Sequence, residues 1–147
     1  MYELKRQPKI SEQLRLGEEV INIDIDIEAS SIDFNKRRNE VILAEQEIKK
    51  MRESGVESEE VLKKYGEAIT NLMVVVFGVD NTEKIVNFYE NRYMELTLEV
   101  FPFIIEVIGP KMKAGIEQMR QKAGALYKSS QAAKLGMNRE TRRRFGK

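Results

Sequence analysis

A chain of 147 residues is long enough for one ordinary domain, and it contains no cysteine and no histidine. Disulfides, thiolate metal sites and cysteine nucleophiles are therefore excluded, and the commonest acid–base residue and metal ligand is missing. Most catalytic constellations are therefore unavailable, so we expect no enzyme, no catalytic residues, no cofactor and no metal site, and a cytosolic protein is the simplest interpretation. Folding could still bring several acids together, for which a solvated helix face is the favoured interpretation: Glu90, Glu95, Glu99 and Glu106.

The two signs of charge are unevenly distributed, although the net charge is only +1. Residues 1–110 hold 14 basic and 22 acidic side chains, a net charge of −8, whereas residues 111–147 hold 11 basic and 2 acidic ones, a net charge of +9. An acidic body with a basic end indicates a charged partner.

The apolar stretches are too short for a membrane protein. The longest, residues 72–77 and 100–108, fall well below the roughly 20 residues that a spanning helix needs. Residues 1–9 lack the apolar core of a secretory signal. We therefore expect neither a transmembrane segment nor export by that route.

The first predicted element is a β-hairpin. Isoleucine occupies every odd position of residues 21–27, which predicts a strand with one buried face, and Gly17 favours a turn before it. The polar residues that alternate with these isoleucines form a possible ladder for magnesium or calcium: Asn22, Asp24, Asp26 and Glu28. They lack the following glycine of an EF-hand loop. A solvated strand face is the favoured interpretation over a cation site.

Four helical stretches are predicted after the hairpin. A capping pattern at Ser30 predicts a charged helix from near Ile32, which Gly55 ends. A second, apolar helix is predicted from Ser58 to Gly78. The remaining part of the chain is divided by one further capping pattern and by two prolines.

Asp80 and Glu83 open the third predicted helix, and the segment after it is expected to be kinked or split at Pro102 and Pro110. The predicted fold is thus α+β and mainly helical, an N-terminal β-hairpin followed by about four to five packed helices. Residues 1–128 form the predicted single domain. Residues 129–147 form a basic, mobile tail, because they lack the apolar side chains to offset the entropy of ordering.

Two groups of side chains are candidate partner contacts. Adaptable methionines and aromatic side chains of the later helices form the first group, for which ordinary core packing is the favoured alternative. It comprises Met94, Phe101, Phe103, Met112 and Met119. Arginines near the C-terminus form the second group: Arg139, Arg142, Arg143 and Arg144. They are predicted to pair with an acidic protein surface, ahead of a purely solubilising role and of nucleic-acid binding.

The order of these features resembles the small tail assembly chaperones of siphophages and prophages of Gram-positive bacteria. The resemblance covers most of the chain and depends on the stretches LGEEVINIDIDIE, LMVVVFG, DNTEKIVNFYENRY, FPFIIEVIGPK and NRETRRRFGK, with a charged helix from Phe34. It carries no catalytic signature and transfers no defined site residue.

The resemblance implies a protein of the host cytoplasm that binds the phage tape measure protein. Such a chaperone keeps that protein soluble and extended until the tail tube polymerises. It also implies a homo-oligomer and a longer, frameshifted product that contacts the tail tube protein. Two alternatives stay open: a structural head-tail or scaffold-like phage component, and a nucleic-acid-binding regulator that uses the basic tail.

Overall fold

The computed structural model describes the backbone of residues 1–144 and the side chains of residues 1–132. The described chain is mainly helical, with one β-hairpin at its N-terminal end. Its elements are β1 (Ile10–Leu16), β2 (Glu19–Ile25), α1 (Ile27–Ser54), α2 (Glu59–Phe88), α3 (Tyr93–Phe103), a π-helical turn (Ile104–Ile108) and α4 (Gly109–Arg144). Because α3, the π-helical turn and α4 follow one another without a break, there are three helical runs. The predicted number of four to five helices is too high.

The predicted hairpin is confirmed. The strands are antiparallel, with Ile10 opposite Ile25 and Leu16 opposite Glu19. Gly17 turns the chain between them at φ 62°, in the left-handed region that glycine adopts without steric cost. The isoleucines of β2 are buried on one face and its other residues are exposed, as the alternation predicts.

The hairpin is held against α2, which explains how so small a sheet is stabilised. The Asn81 side-chain amide donates a hydrogen bond to the carbonyl of Asn22 at 2.9 Å. The Lys84 ammonium pairs with the Glu19 carboxylate, also at 2.9 Å. The first of these contacts pairs a carbonyl of β2 with the neighbouring helix.

α1 begins earlier than predicted. Its N-cap is Asp26, whose carboxylate accepts a hydrogen bond from the amide of Ala29 at 3.1 Å. The predicted start near Ile32 is therefore wrong, and Ile27 is the first residue of the helix rather than the last of the strand. The alternation of residues could not distinguish the two because Ile27 is buried in either case. The predicted end is confirmed at Gly55, which has φ 70°.

α2 begins as predicted but does not end at Gly78. The hydroxyl of Ser58 caps its first turn, accepting a hydrogen bond from the amide of Val61 at 3.4 Å. Gly78 interrupts the helical backbone at φ 81° and ψ 167°, and the helix resumes at once and continues to Phe88. The separate helix predicted from Asp80 is thus the second half of α2.

The prolines do not split the last helical run. Pro102 lies inside α3, and the π-helical turn follows it directly. The amide of Gly109 donates to the carbonyl of Ile104, five residues earlier, in the manner of a π-helix. Of the two predicted alternatives at Pro102 and Pro110, a kink or a split, the split is therefore wrong: the π-helical turn lies between the two prolines and the helical run continues through it.

The core lies where α1 and α2 pack together, with side chains from β2, from α3 and from the start of α4 completing it. Its largest fully buried side chains are Ile23, Phe34, Val41, Leu72, Met73, Ile85, Leu96, Ile104, Ile108 and Met112. An ion pair between Lys111 and Glu12 joins the start of α4 to the hairpin. The long apolar face predicted for the second helix is confirmed as the centre of this core.

Residues Met1–Met112 form one compact unit, and a second unit begins at Lys113. In the second unit the side chains of residues 120–132 are exposed. The predicted domain boundary at residue 128 and the predicted mobility of residues 129–147 stay predictions. None of the helices in the described part of the chain combines the length and the apolar character needed to cross a membrane.

Candidate partner-binding groove

An open groove of about 510 Å³ lies between the C-terminal half of α1 and α3, with Tyr65 of α2 also lining it. We call it the α1–α3 groove. Its apolar lining consists of Ile48, Tyr65, Met94, Leu98, Phe101 and Pro102, and its polar lining of Glu45, Lys49, Arg52 and Thr97. The groove belongs entirely to the unit Met1–Met112.

The spacing of apolar residues on α3 explains why this helix has a second apolar face. Leu96 and Val100 are buried in the core. Met94, Leu98 and Phe101 follow the i, i+4, i+7 spacing of a different stripe, and they line the groove. Leu98 is 76% exposed.

Charged side chains of α1 border the groove. Lys49 and Arg52 take part in no ion pair with any residue that the structure describes. Glu45 is half-buried, and burial raises the pKa of its carboxyl above the ordinary value. The border therefore offers two cations and one carboxylate, none of them in an ion pair with a described residue, next to an apolar floor.

Tyr65 lines the same groove and is buried in it. Burial raises the pKa of its phenol, while a hydrogen bond with Thr97 opposes that rise. The Thr97 hydroxyl itself donates to the carbonyl of Tyr93 at 2.6 Å. Tyr65 is thus a buried part of the lining, whereas Met94 and Leu98 are exposed.

The structure brings together two of the predicted partner contacts, Met94 and Phe101. Phe103 is directed elsewhere: its ring stacks on that of Phe77, with 6.1 Å between the centroids. Met112 is buried in the core, and Met119 is half-buried in the second unit. Phe103 and Met112 thus occupy the packing positions that were the alternative for this group.

The second predicted group cannot be placed in the same way. The side chains of Arg139, Arg142, Arg143 and Arg144 lie outside the described side chains, although α4 includes their backbone. Their predicted role stays a prediction.

Sequence reasoning missed several residues of the groove, above all Ile48, Lys49 and Arg52 on α1. The signal for Leu98 was present in the sequence, since it stands four residues after Met94 and three before Phe101. No comparable signal existed for the α1 residues, because their role depends on which helix lies opposite them.

The acidic residues of the hairpin have structural roles. The carboxylate of Asp24 accepts a hydrogen bond from the Ser11 hydroxyl at 2.8 Å, and Asp26 caps α1. Within residues that the structure describes, no group of three or more acidic side chains is arranged to hold a metal ion.

Comparison of the chain with known proteins identified no relative. No protein-family model matches it, and neither a curated protein nor a solved structure matches it.

Proposed function

We propose that this protein is a non-catalytic chaperone that binds a helical segment of a long client protein in the α1–α3 groove. The client is the phage tape measure protein, as expected from the resemblance to tail assembly chaperones. In this role the protein acts in the host cytoplasm, self-associates along the client and keeps it soluble and extended until the tail tube polymerises. A longer, frameshifted product would contact the tail tube protein.

The observation that carries the proposal is the second apolar face of α3. Met94, Leu98 and Phe101 line an open groove rather than the core. An amphipathic helix is recognised when its apolar side chains, spaced at i, i+3, i+4 and i+7, enter such a groove. Methionine and exposed leucine suit a client whose successive segments differ in sequence, because flexible apolar side chains repack around different shapes.

The border of the groove restricts the client further. Lys49 and Arg52 are unpaired cations beside the apolar floor. They favour a client helix that carries acidic residues next to its apolar stripe, since complementary charges speed encounter and disfavour other partners. The recognised segment is therefore an amphipathic helix with acidic flanks.

Co-expression with the tape measure protein tests the proposal, with the soluble fraction of the client as the measurement. Leu98→Lys places a charge in the groove at a position that is already exposed, so the fold should survive. We expect it to weaken client binding about tenfold or more, as removal of a central apolar anchor does. Ile32→Lys is the matched control, because Ile32 is 80% exposed on α1 and lies outside the groove.

Equal client solubility with Leu98→Lys and Ile32→Lys would contradict the proposal. Mass spectrometry of purified virions addresses the structural alternative, because an assembly chaperone is released whereas a head-tail or scaffold-like component is retained. Titration with duplex DNA at two salt concentrations addresses the nucleic-acid alternative.

A further inference from the structure

A second groove lies on a different face of α1, between α1 and α2, and we call it the α1–α2 groove. Its volume is about 270 Å³. Each helix contributes four residues with the spacing i, i+3, i+4, i+7: Glu40, Leu43, Ala44 and Glu47 from α1, and Lys64, Glu67, Ala68 and Asn71 from α2. Alanines at the centre of both rows allow another helix to approach closely. Leu43, which is 61% exposed, provides an apolar contact.

Acidic side chains dominate this groove. Glu47 and Glu67 are exposed and take part in no ion pair among the described residues, whereas Glu40 pairs with Arg37 at 3.0 Å and Lys64 with Glu60 at 3.5 Å. The two unpaired carboxylates face a groove with no free cation of its own. An occupant with basic flanks would pair with them.

α4 carries the complementary surface. Met119, Ala123 and Leu126 follow one another at intervals of four and three residues, so they form one stripe of the helix. Leu126 is 73% exposed, and Arg120 and Lys122 stand on either side of the stripe, also exposed. The stripe is thus an apolar row with basic flanks, and its C-terminal part is exposed to solvent.

The charges of the two units agree with this match. Residues 1–112 hold 15 basic and 22 acidic side chains, and residues 113–147 hold 10 basic and 2 acidic ones. Two α4 helices would bring their basic flanks together, which disfavours pairing of α4 with another α4. The acidic groove removes that repulsion and replaces it with attraction.

We infer that α4 of one copy of the protein docks in the α1–α2 groove of a second copy. The stripe from Met119 to Leu126 lies over Ala44 and Ala68, beside Leu43, while Arg120 and Lys122 pair with Glu47 and Glu67. Groove and helix are different surfaces of one chain, so the contact is head-to-tail and each added copy offers a new groove or a new helix. The inference rests on the self-association within the proposed function and uses none of the residues that line the α1–α3 groove.

Charge reversal tests this interface by sedimentation velocity over a range of protein concentrations. Glu47→Lys with Glu67→Lys reverses the groove, and Arg120→Glu with Lys122→Glu reverses the helix. We expect each pair to raise the dissociation constant for self-association about tenfold or more, as loss of close charge pairs does at other interfaces. A chain with all four substitutions should associate again, because both partners have exchanged signs.

The matched control is Glu83→Lys with Glu106→Lys, which changes the charge by the same amount at two exposed sites outside the groove. It should change the dissociation constant by less than about threefold, because salt largely screens exposed charges that lie outside the interface. Circular dichroism of each variant verifies the fold. The helix reversal lies on an exposed stretch of α4, so it tests the interface even where the groove reversal unfolds the protein.

Recovery of association in the chain with all four substitutions supports the inference. An equal loss in the control pair, no loss from the helix reversal, or no recovery in a folded chain with all four substitutions overturns it. A wild-type chain that stays monomeric at every concentration overturns it together with self-association. None of these results depends on Leu98→Lys, so a failure of client binding is recognised separately.

Discussion

Phe77 connects the apolar face of α2 to the last helical run. It is 5% exposed, and its ring stacks on Phe103. Phe77→Ala removes this contact and leaves a cavity, so we expect it to lower the free energy of unfolding by about 3–5 kcal/mol. Chemical denaturation measures the change. The half-exposed Phe88 supplies a control, because Phe88→Ala should cost clearly less, and similar losses from both would place Phe77 outside the core.

Glu45 makes stability depend on pH. Burial raises the pKa of its carboxyl above the ordinary 4.5, so the folded chain holds this proton more tightly than the unfolded chain does. Ionisation of the carboxyl therefore lowers the free energy of unfolding at neutral pH. This loss decreases as the pH falls through the pKa of the folded chain, and it is absent well below the pKa of the unfolded chain. Glu45→Gln should raise the free energy of unfolding at pH 7 relative to the wild type, with no difference below pH 4.5. A gain of the same size at every pH would mean that ionisation is not its cause.

Capping residues show what the sequence reveals at this scale. Ser58 and Gly55 were predicted and found at the ends of helices, because a serine before glutamates and a glycine after an apolar stripe each satisfy free backbone groups locally. Asp26 was missed because it stands within the alternating pattern of the strand. The same carboxylate serves as an exposed strand residue in one interpretation and as an N-cap in the other.

Gly78 and Gly124 both lie inside helices, but they have different roles. Gly78 has φ 81° and ψ 167°, a conformation that residues with a side chain rarely adopt, although no atom lies near its absent Cβ. Gly78→Ala should lower the free energy of unfolding by about 1–3 kcal/mol through backbone strain alone. Gly124 lies in α4 with open space around it. Gly124→Ala should therefore increase helicity, because alanine favours the helix over glycine by about 0.5–1 kcal/mol. Thermal unfolding and circular dichroism distinguish them, and a neutral Gly78→Ala would mean that α2 straightens.

Deletion of residues 129–147 tests the basic end. The described side chains of residues 129–132 are exposed, so the deletion should leave the melting temperature nearly unchanged. Association with an acidic client segment should become slower and less dependent on salt, because the deleted arginines steer encounters over about 8 Å at physiological ionic strength. Binding kinetics at two salt concentrations measure this. Unchanged kinetics would leave the segment a solubilising role, and a large fall in melting temperature would show that it is part of the fold.

The elements were predictable where the signal was local. The hairpin, the end of α1 at Gly55 and the start of α2 at Ser58 follow from alternation, glycine and capping residues. A kink or a split was predicted at the prolines because each proline removes a backbone donor, whereas the helical run continues here and the amide of Gly109 donates to the carbonyl of Ile104, five residues earlier. This π-helical hydrogen bond depends on several residues at once, and no periodic pattern in the sequence predicts it.

The whole molecule is expected to self-associate. Its unit Met1–Met112 is acidic and the segment from Lys113 is basic, so an attraction between these opposite charges would favour one orientation of neighbouring copies. Light scattering should give a mean mass that increases with protein concentration and decreases with added salt. A mass that is constant with concentration would remove self-association from the proposed function. If the mean mass increased with concentration equally at high salt, apolar contacts rather than charges would hold the copies together.

The groove was predictable only in part at this scale. Met94 and Phe101 stood out by residue type, and both line the α1–α3 groove. Lys49 and Arg52 belong to a helix whose sequence shows a charged surface with a narrow apolar stripe, and nothing in that pattern distinguishes the face next to α3 from the others. A site formed by two elements distant in the sequence requires their packing to be known.

One helix lines both grooves. Residues 40–47 of α1 border the α1–α2 groove, and residues 45–52 border the α1–α3 groove. If both grooves are occupied as proposed, an adjustment of α1 on binding one occupant would reach the other, and the two equilibria would then share a coupling free energy. Such a coupling would be reciprocal: the factor by which a client changes the affinity between copies would equal the factor by which a neighbouring copy changes the affinity for the client.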